Sequence, residues 1–138
     1  MDNRALNYLA LGKKGRLVEL GEEPVGAVAR AIKARLVIVA TDASDHTWRR
    51  AKSFVAGTEQ QCIRVPFTKE ELGFVVGRQS LAIAAFTDAA LALAFTKALP
   101  NTEKFKDVVD ALDIKAQKLR QRKEEAKAHQ RNVRKGKK

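Results

Sequence analysis

The sequence is short of cysteine and of long apolar runs, and each shortage excludes a class of protein. Its single cysteine, Cys62, can form neither an internal disulfide nor a zinc site built on cysteines, which fits a reducing compartment. No apolar stretch approaches the roughly 20 residues that span a bilayer, and Asp2 lies where a signal peptide carries positive charge. We therefore expect a cytoplasmic protein that has no contact with a membrane.

Apolar residues are plentiful, at 45% of the 138 residues, so the chain can bury a core and global disorder is excluded. A chain of this length forms one domain and at most an appendage. We expect a sandwich domain over residues 1–100, followed over residues 101–138 by an amphipathic helix that runs into a basic tail.

Positive charge is concentrated at the C-terminal end. The net charge is +11, and residues 115–138 carry eleven lysines and arginines against Glu124 and Glu125. Such a tail is typical of attachment to a polyanion, most often nucleic acid; the alternative is a solvated helix that only improves solubility. Beyond Arg120 only Val133 is notably apolar, so we expect the helix to fray into disorder there.

Residues 21–42 organise the rest of the chain. Four apolar residues recur at i, i+3, i+4 and i+7 and predict a helix with one apolar stripe: Val25, Val28, Ala29 and Ile32. Residues 36–40, Leu-Val-Ile-Val-Ala, form an unbroken apolar run, which is typical of a strand buried on both faces. The two elements together predict a layered α/β domain.

Similar patterns predict the remaining elements. These are a helix over residues 3–11 that ends at Gly12, a weak edge strand over 17–20, a helix over 45–56, strands over 61–65 and 81–86, a helix over 69–76 that stops at Gly77, a helix over 89–99 and a last helix from 101. Thr68 and Glu71 fit a capping box before Gly77. Strands that alternate with helices imply crossover connections and a largely parallel sheet covered on both faces.

Asp42 and Asp88 each follow a predicted buried strand, where open α/β sheets bind ligands. An enzyme would need them adjacent, with a metal or a base beside them. The simpler interpretation, which we favour, is that Asp88 caps the next helix and Asp42 shapes the turn before Ser44. The sequence shows no glycine-rich phosphate loop, metal-ligand spacing or nucleophile paired with a base, so we expect neither an enzyme nor a bound cofactor or metal.

Two stretches resemble a known family: residues 21–44, GEEPVGAVARAIKARLVIVATDAS, and residues 65–77, VPFTKEELGFVVG. They look like the central segment and the Val-Pro-x-Lys-x-Glu-Leu-Gly-x-x-x-Gly stretch of the ribosomal-protein L-seven-Ae superfamily of kink-turn RNA binders. The similarity covers residues 3–99, and the basic first turn looks most like that of the small bacterial YlxQ-type members. The resemblance implies a three-layer α/β/α sandwich with a mixed four-stranded sheet, and a role in binding ribosomal or other structured RNA.

The start of the organising helix departs from the family. Kink-turn binders carry Gly-x-Asn-Glu-x-x-Lys there, whose Asn and Glu hydrogen-bond purine edges and whose Lys contacts phosphate. The matching residues in this chain are Glu23, Pro24 and Ala27. Glu22 and Glu23 also place acid at a helix N-terminus, the end that suits anions. We expect the family's RNA-binding face without its usual base recognition.

The resemblance makes eleven residues candidates for RNA contact. They lie in the basic first turn, at both ends of the organising helix and in the loop before the last strand: Lys13, Lys14, Arg16, Gly21, Glu22, Glu23, Lys33, Arg35, Arg78, Gln79 and Ser80. We expect the cations to gather on one edge of the sandwich and position phosphates, with Arg78 stacking on an extruded nucleotide. The alternatives are that Lys33 and Arg35 only complement the helix dipole and that residues 77–80 form an ordinary loop.

The sequence thus predicts a non-catalytic, ribosomal-protein-like RNA-binding protein, monomeric when free, that works with the ribosome or translation factors. It would hold structured RNA with a loop edge and with its basic tail. One alternative is a protein-interaction module that docks a translation or ribosome-assembly factor. Another is an α/β enzyme fragment or regulatory domain that uses Asp42 or Asp88.

Overall fold

The computed structural model describes residues 4–135, with side chains described through residue 130. Along this range the elements are α1 (Arg4–Lys14), β1 (Val18–Leu20), α2 (Glu22–Arg30), β2 (Leu36–Val39), α3 (Asp45–Val55), β3 (Gln61–Arg64), α4 (Lys69–Val75), β4 (Ile83–Phe86), α5 (Ala89–Lys97), a 3₁₀ helix (Thr102–Phe105) and α6 (Lys106–Lys135). Asn3, the predicted first residue of α1, and residues 136–138 of the tail lie outside the described residues.

The four strands form one mixed sheet in the order β1-β4-β2-β3. Strands β2 and β3 are parallel, whereas β4 runs antiparallel to both β1 and β2. In this register Ile38 of β2 lies opposite Ile63 of β3 on one side and Ala84 of β4 on the other. The mixed sheet implied by the family resemblance is confirmed, and the largely parallel sheet inferred from the alternation of elements is wrong.

The short helix α4 explains why β4 reverses direction. It has seven residues, so it is only about 10 Å long at a rise of 1.5 Å per residue. The chain then turns back, and the Leu81 N–H donates to the carbonyl of Lys69, the first residue of α4, over 2.9 Å. Strand β4 therefore starts at the edge of the sheet where β3 ends and must run antiparallel to it.

The ends of the strands define two edges of the sheet. At the loop edge β1, β2 and β3 end and β4 begins, and residues 21–23 and 78–80 lie there. At the opposite edge, the tail edge, β1, β2 and β3 begin and β4 ends. Helix α6 passes along the tail edge, because Leu112 and Lys115 line a groove together with Arg35 and Gln60. Strands of four residues separate the two edges by about 13 Å.

Helices cover both faces of the sheet. Helix α2 packs against α3 on one face, and α1 packs against α4 and α5 on the other. Both β2 and β4 are buried along their whole length, which confirms the prediction of a strand covered on both faces. The rings of Phe86 and Phe95 are fully buried with centroids 4.8 Å apart, so they connect β4 to α5.

Side-chain caps start three of the helices. The Thr68 hydroxyl accepts from the Glu71 N–H over 3.1 Å, and the Glu71 carboxylate accepts from the Thr68 N–H over 3.0 Å, which confirms the capping box. Asp88 accepts from the Leu91 N–H over 2.8 Å, as predicted. The Ser44 hydroxyl caps α3.

Two helix ends differ from the sequence prediction. Helix α1 continues through Gly12 to Lys14, because Gly12 serves close packing: a Cβ atom there would lie 2.6 Å from a methyl carbon of Val18. Helix α2 ends at Arg30, so Ile32 lies beyond the helix instead of in its buried stripe. Ile32 is 53% exposed.

Helix α6 extends to Lys135, whereas the sequence predicted fraying beyond Arg120. Its first half is held by tertiary packing, since Leu112 and Ala116 are buried and α6 packs against α5. Its second half is rich in Ala, Lys, Arg, Gln and Glu, which are strong helix formers. The Gln121 side chain also donates to Glu125, one turn later, over 3.3 Å. No helix in the described range is both long and apolar enough to cross a membrane.

Candidate nucleic-acid interface

Two segments that are distant in the sequence meet at the loop edge: the start of α2 and the loop before β4. Gly21 has a φ of 98°, which favours glycine, and its N–H donates to Ile83 O over 3.0 Å. A terminal guanidinium nitrogen of Arg78 lies 3.7 Å from the position that a Cβ atom would take on Gly21. A positive charge therefore stands beside the first turn of α2.

Two glycines shape the loop that carries Arg78. Gly77 has a φ of 75°, and the Arg78 N–H donates to Gly73 O over 2.8 Å, the pattern of a Schellman motif at a helix end. A Cβ atom on Gly73 would come within 2.8 Å of both Arg78 O and Ser80 Cα. Only glycine at this position lets the loop lie against α4, and the loop leaves Arg78, Gln79 and Ser80 exposed.

Lys13 reaches the same place from α1. Its ammonium group donates to the carbonyl of Val76 and lies 3.5 Å from the Cβ position of Gly77. Lys13 therefore satisfies a carbonyl at the end of α4 while placing its charge beside the loop that carries Arg78. Lys14, the last residue of α1, is exposed. The structure thus brings Lys13 and Arg78 together, as predicted.

An ion pair offsets part of the acid at the start of α2. Arg50 Nε lies 2.6 Å from Glu22 Oε1, with both side chains about half exposed. The Arg50 guanidinium also lies over the Phe54 ring, 5.5 Å from its centroid. Arg50 therefore neutralises the charge of Glu22, which alone would repel a phosphate. Sequence analysis missed Arg50, although the basic face of α3 was an available signal.

A second basic cluster lies where β3 reaches the loop edge. The Arg64 guanidinium carbon and the Lys52 ammonium lie 5.0 and 5.3 Å from the centroid of the Trp48 ring. Trp48 is half-buried. The Nε atom of Arg64 is itself buried and has no hydrogen-bond partner among the described residues. This cluster, also missed by sequence analysis, extends the positive surface along the loop edge.

The other predicted cations lie at the tail edge. The Arg35 N–H donates to Phe86 O over 2.8 Å, at the end of β4. Strand β1 lies between Arg16 and Gly21, and helix α2 lies between Gly21 and Lys33. One full element therefore separates Arg16, and likewise Lys33, from the loop edge. The prediction that all these cations share one rim is wrong for this reason.

The basic tail also emerges at the tail edge. Helix α6 lies beside Arg35 in one groove and beside Asp88 and Ala89 in another. Residues 120–127 are exposed, so their cations face solvent. The structure therefore places the start of the tail at the tail edge, beside Arg35 and away from the loop edge.

Asp42 and Asp88 lie at opposite edges, because they follow strands that run antiparallel. Asp42 accepts from the Lys69 N–H over 2.8 Å; it connects the turn after β2 to α4 instead of shaping the turn before Ser44. The two carboxylates do not form the adjacent pair that an enzyme would need. Within residues 4–135 no group of three or more His, Cys, Asp and Glu residues could hold a metal ion.

Cys62 lies in β3 and is partly buried. Burial raises the pKa of the Cys62 thiol from 9.0 to about 12, an effect that the charge of Lys52 opposes. The thiol is therefore protonated at neutral pH, and a protonated thiol is a poor nucleophile.

Known proteins share the fold of this chain. No protein-family model and no curated protein sequence matches it. Among solved structures it is similar to a protein with unknown function from Bacillus halodurans, with a TM-score of 0.64 and 22% identity over 69% of this chain and 95% of that one. It is also similar to a Giardia lamblia 15.5kD RNA binding protein, with a TM-score of 0.53 and 21% identity over 79% of this chain and 87% of that one. Likeness at this level of identity establishes a common fold.

Proposed function

We propose that the protein binds structured RNA, ribosomal or kink-turn-like, with its loop edge, and that the basic tail adds affinity independent of sequence. The observation that carries the proposal is that Lys13 reaches the loop of Arg78, whose guanidinium in turn lies beside Gly21 at the start of α2. The superfamily that the sequence resembles contacts RNA through the start of this helix and through this loop. A protein with the same fold is an RNA binding protein of Giardia lamblia, which also supports the proposal.

The loop edge suits contacts to phosphate and to an unstacked base. Phosphate contacts position a protein on its nucleic acid, and Lys13 and Arg78 supply two such contacts. The exposed guanidinium plane of Arg78 can stack on a base that has left its helix. Glu23, Pro24 and Ala27 replace the base-reading residues of the resembled family, so recognition relies on RNA shape and charge.

The proposal extends to the cellular role. We propose that the protein is a non-catalytic monomer that acts with the ribosome or translation factors in the cytoplasm. The support for this part is the resemblance to ribosomal proteins and the presence of a single cysteine, which suits a reducing compartment.

A paired charge removal tests the RNA site. Lys13→Gln combined with Arg78→Gln should lower the affinity for a kink-turn hairpin RNA about tenfold and reduce the slope of log K against log salt by about 1.8, since each phosphate contact contributes about 0.9. The matched control removes two exposed charges that belong to α5 and the 3₁₀ helix, with Lys97→Gln and Lys104→Gln. Fluorescence anisotropy across a salt series measures both quantities.

An equal loss of affinity in the two double variants would overturn the site, because it would mean that only total charge matters.

Recognition of RNA shape is tested separately with the wild-type protein. The kinked hairpin should bind more tightly than an unkinked duplex of the same length, and equal affinities would remove kink-turn specificity from the proposal.

A second candidate function is docking of a protein partner. A groove at the tail edge that exposes two isoleucines favours it.

A further inference from the structure

A groove of about 550 Å³ lies between α6 and the body of the domain at the tail edge. Ile32 and Ile114 line it from its two sides and are 53% and 55% exposed. Most of the large apolar residues described are buried, so two half-exposed isoleucines facing one groove form a local apolar surface. The groove lies at the opposite edge from Lys13 and Arg78.

Ile32 has a backbone conformation that its side chain disfavours. Its φ is 57°, in the left-handed region, which is unfavourable for any residue with a Cβ atom and rarest for β-branched residues. It follows α2 in a Schellman motif, because Ile32 N–H donates to Ala29 O and Lys33 N–H donates to Val28 O. In the free protein, Ile32 therefore has an unfavourable backbone conformation, and about half of its surface remains exposed to water.

The chain itself provides the contrast. The same motif ends α4, and there the left-handed position is occupied by Gly77, the residue that favours it. An isoleucine at the equivalent position of α2 is therefore unexplained by the fold. Strained positions of this kind concentrate at binding sites, and burial in a complex would recover the apolar surface that Ile32 exposes.

The rim of the groove is positively charged. Arg35, Lys115 and Lys118 line it against one acidic residue, Glu59. The Nε atom of Arg35 is buried and has no hydrogen-bond partner among the residues described. The groove thus combines apolar anchor points with cations, and its complement is a surface that carries both apolar side chains and carboxylates.

We propose that this groove docks an acidic amphipathic segment of a protein partner, with apolar side chains against Ile32 and Ile114 and carboxylates facing Arg35, Lys115 and Lys118. The groove lies apart from Lys13 and Arg78, so one molecule can hold RNA at the loop edge while a protein segment occupies the groove. RNA is a poorer match for the groove, because phosphates gain nothing from two exposed isoleucines.

Peptide selection tests the groove directly. A display library of random peptides of about 16 residues, enough for four helical turns, is selected against the full chain in the presence of excess competitor RNA. The enriched peptides should be rich in Asp and Glu and carry apolar residues at helical spacing. Synthesised versions should shift the methyl NMR signals of Ile32 and Ile114 on titration.

The variant Ile32→Gly distinguishes an effect on peptide binding from an effect on stability. The variant should bind the selected peptides about tenfold or more weakly, as expected for loss of a central anchor, while its melting temperature is unchanged or higher because glycine favours the left-handed conformation. Leu11→Ser is the matched control, since Leu11 is 56% exposed and does not line the groove. It should leave peptide affinity unchanged.

Several outcomes would overturn the proposal. These are enrichment of peptides without acidic residues, undiminished binding by Ile32→Gly, or equal weakening by Leu11→Ser. Displacement of the peptides by single-stranded RNA, with loss of the Ile32 and Ile114 shifts, would assign the groove to RNA instead. Kink-turn hairpin affinity of Ile32→Gly should equal that of wild type, which keeps this test separate from that of the loop edge.

Discussion

The absence of a side chain at Gly73 determines the shape of the loop edge. Gly73 packs so tightly against the following loop that a Cβ atom would meet backbone atoms of Arg78 and Ser80 at 2.8 Å. Backbone atoms cannot rotate away as the end of a long side chain can. The position of the Arg78 charge therefore depends on a residue that carries no functional group.

Gly73→Ala should destabilise the protein by about 1–3 kcal/mol, the usual cost of overpacking, and should weaken RNA binding because the loop must move. Gly15→Ala is the control, since the new Cβ atom would make only ordinary contacts of 3.5 Å or more. Urea denaturation measures stability and anisotropy measures RNA affinity. Equal behaviour of the two variants would show that the loop does not depend on the close approach at Gly73.

Ile32 is a residue whose position the sequence pattern predicted wrongly. Periodicity assigned it to the buried stripe of α2, because four apolar residues at helical spacing usually share one face. The helix ends before Ile32 is reached, so the position lies beyond the stripe. A hydrophobic pattern therefore located the helix correctly and misplaced the residue that follows its end.

At the scale of elements, one buried side chain connects α2 to β3. The Gln60 oxygen accepts from the Ala34 N–H over 2.9 Å, and its nitrogen donates to Ala29 O and to the Thr58 hydroxyl over 3.1 Å each. Gln60 is 9% exposed, so water can hardly replace these bonds. It holds the end of α2 and one wall of the tail-edge groove against the sheet.

Gln60→Ala should lower the free energy of unfolding by about 1–3 kcal/mol, because it leaves the buried Ala34 N–H without its partner. Gln61→Ala, next in the chain and with its amide bonded only locally to Glu59 O, should change stability by less than about 0.5 kcal/mol. Chemical denaturation followed by circular dichroism compares the two. A small effect of Gln60→Ala would mean that the end of α2 is held by other contacts.

At the scale of the whole molecule, positive charge is divided between two edges. Lys13 and Arg78 lie at the loop edge, whereas Arg35 and the tail lie at the tail edge. Groups that far apart, with no shared partner, usually contribute additively to binding. The affinity lost by neutralising one edge should therefore be nearly the same with or without the other.

Removal of residues 120–138 tests the contribution of the tail. This deletes nine lysines and arginines and keeps the buried Leu112 and Ala116, so the melting temperature should hardly change. The salt slope of RNA binding should fall by about 4–5 if six of the cations meet phosphates. A full-length variant with these nine residues changed to Gln should behave in the same way. An unchanged slope in both proteins would exclude the tail from RNA binding.

The amino-acid sequence predicted the α-helices, the four strands and two of the helix caps, because these depend on neighbours within one or two turns. Family resemblance added the mixed sheet and the candidate residues. The tertiary structure alone established the direction of β4 and the division of the cations between two edges. It also identified the hydrogen-bond partners of Gln60, Asp42 and Lys13. These partners lie 26, 27 and 63 positions away in the chain, respectively. Contacts at such separations depend on how the layers pack, which no local pattern encodes.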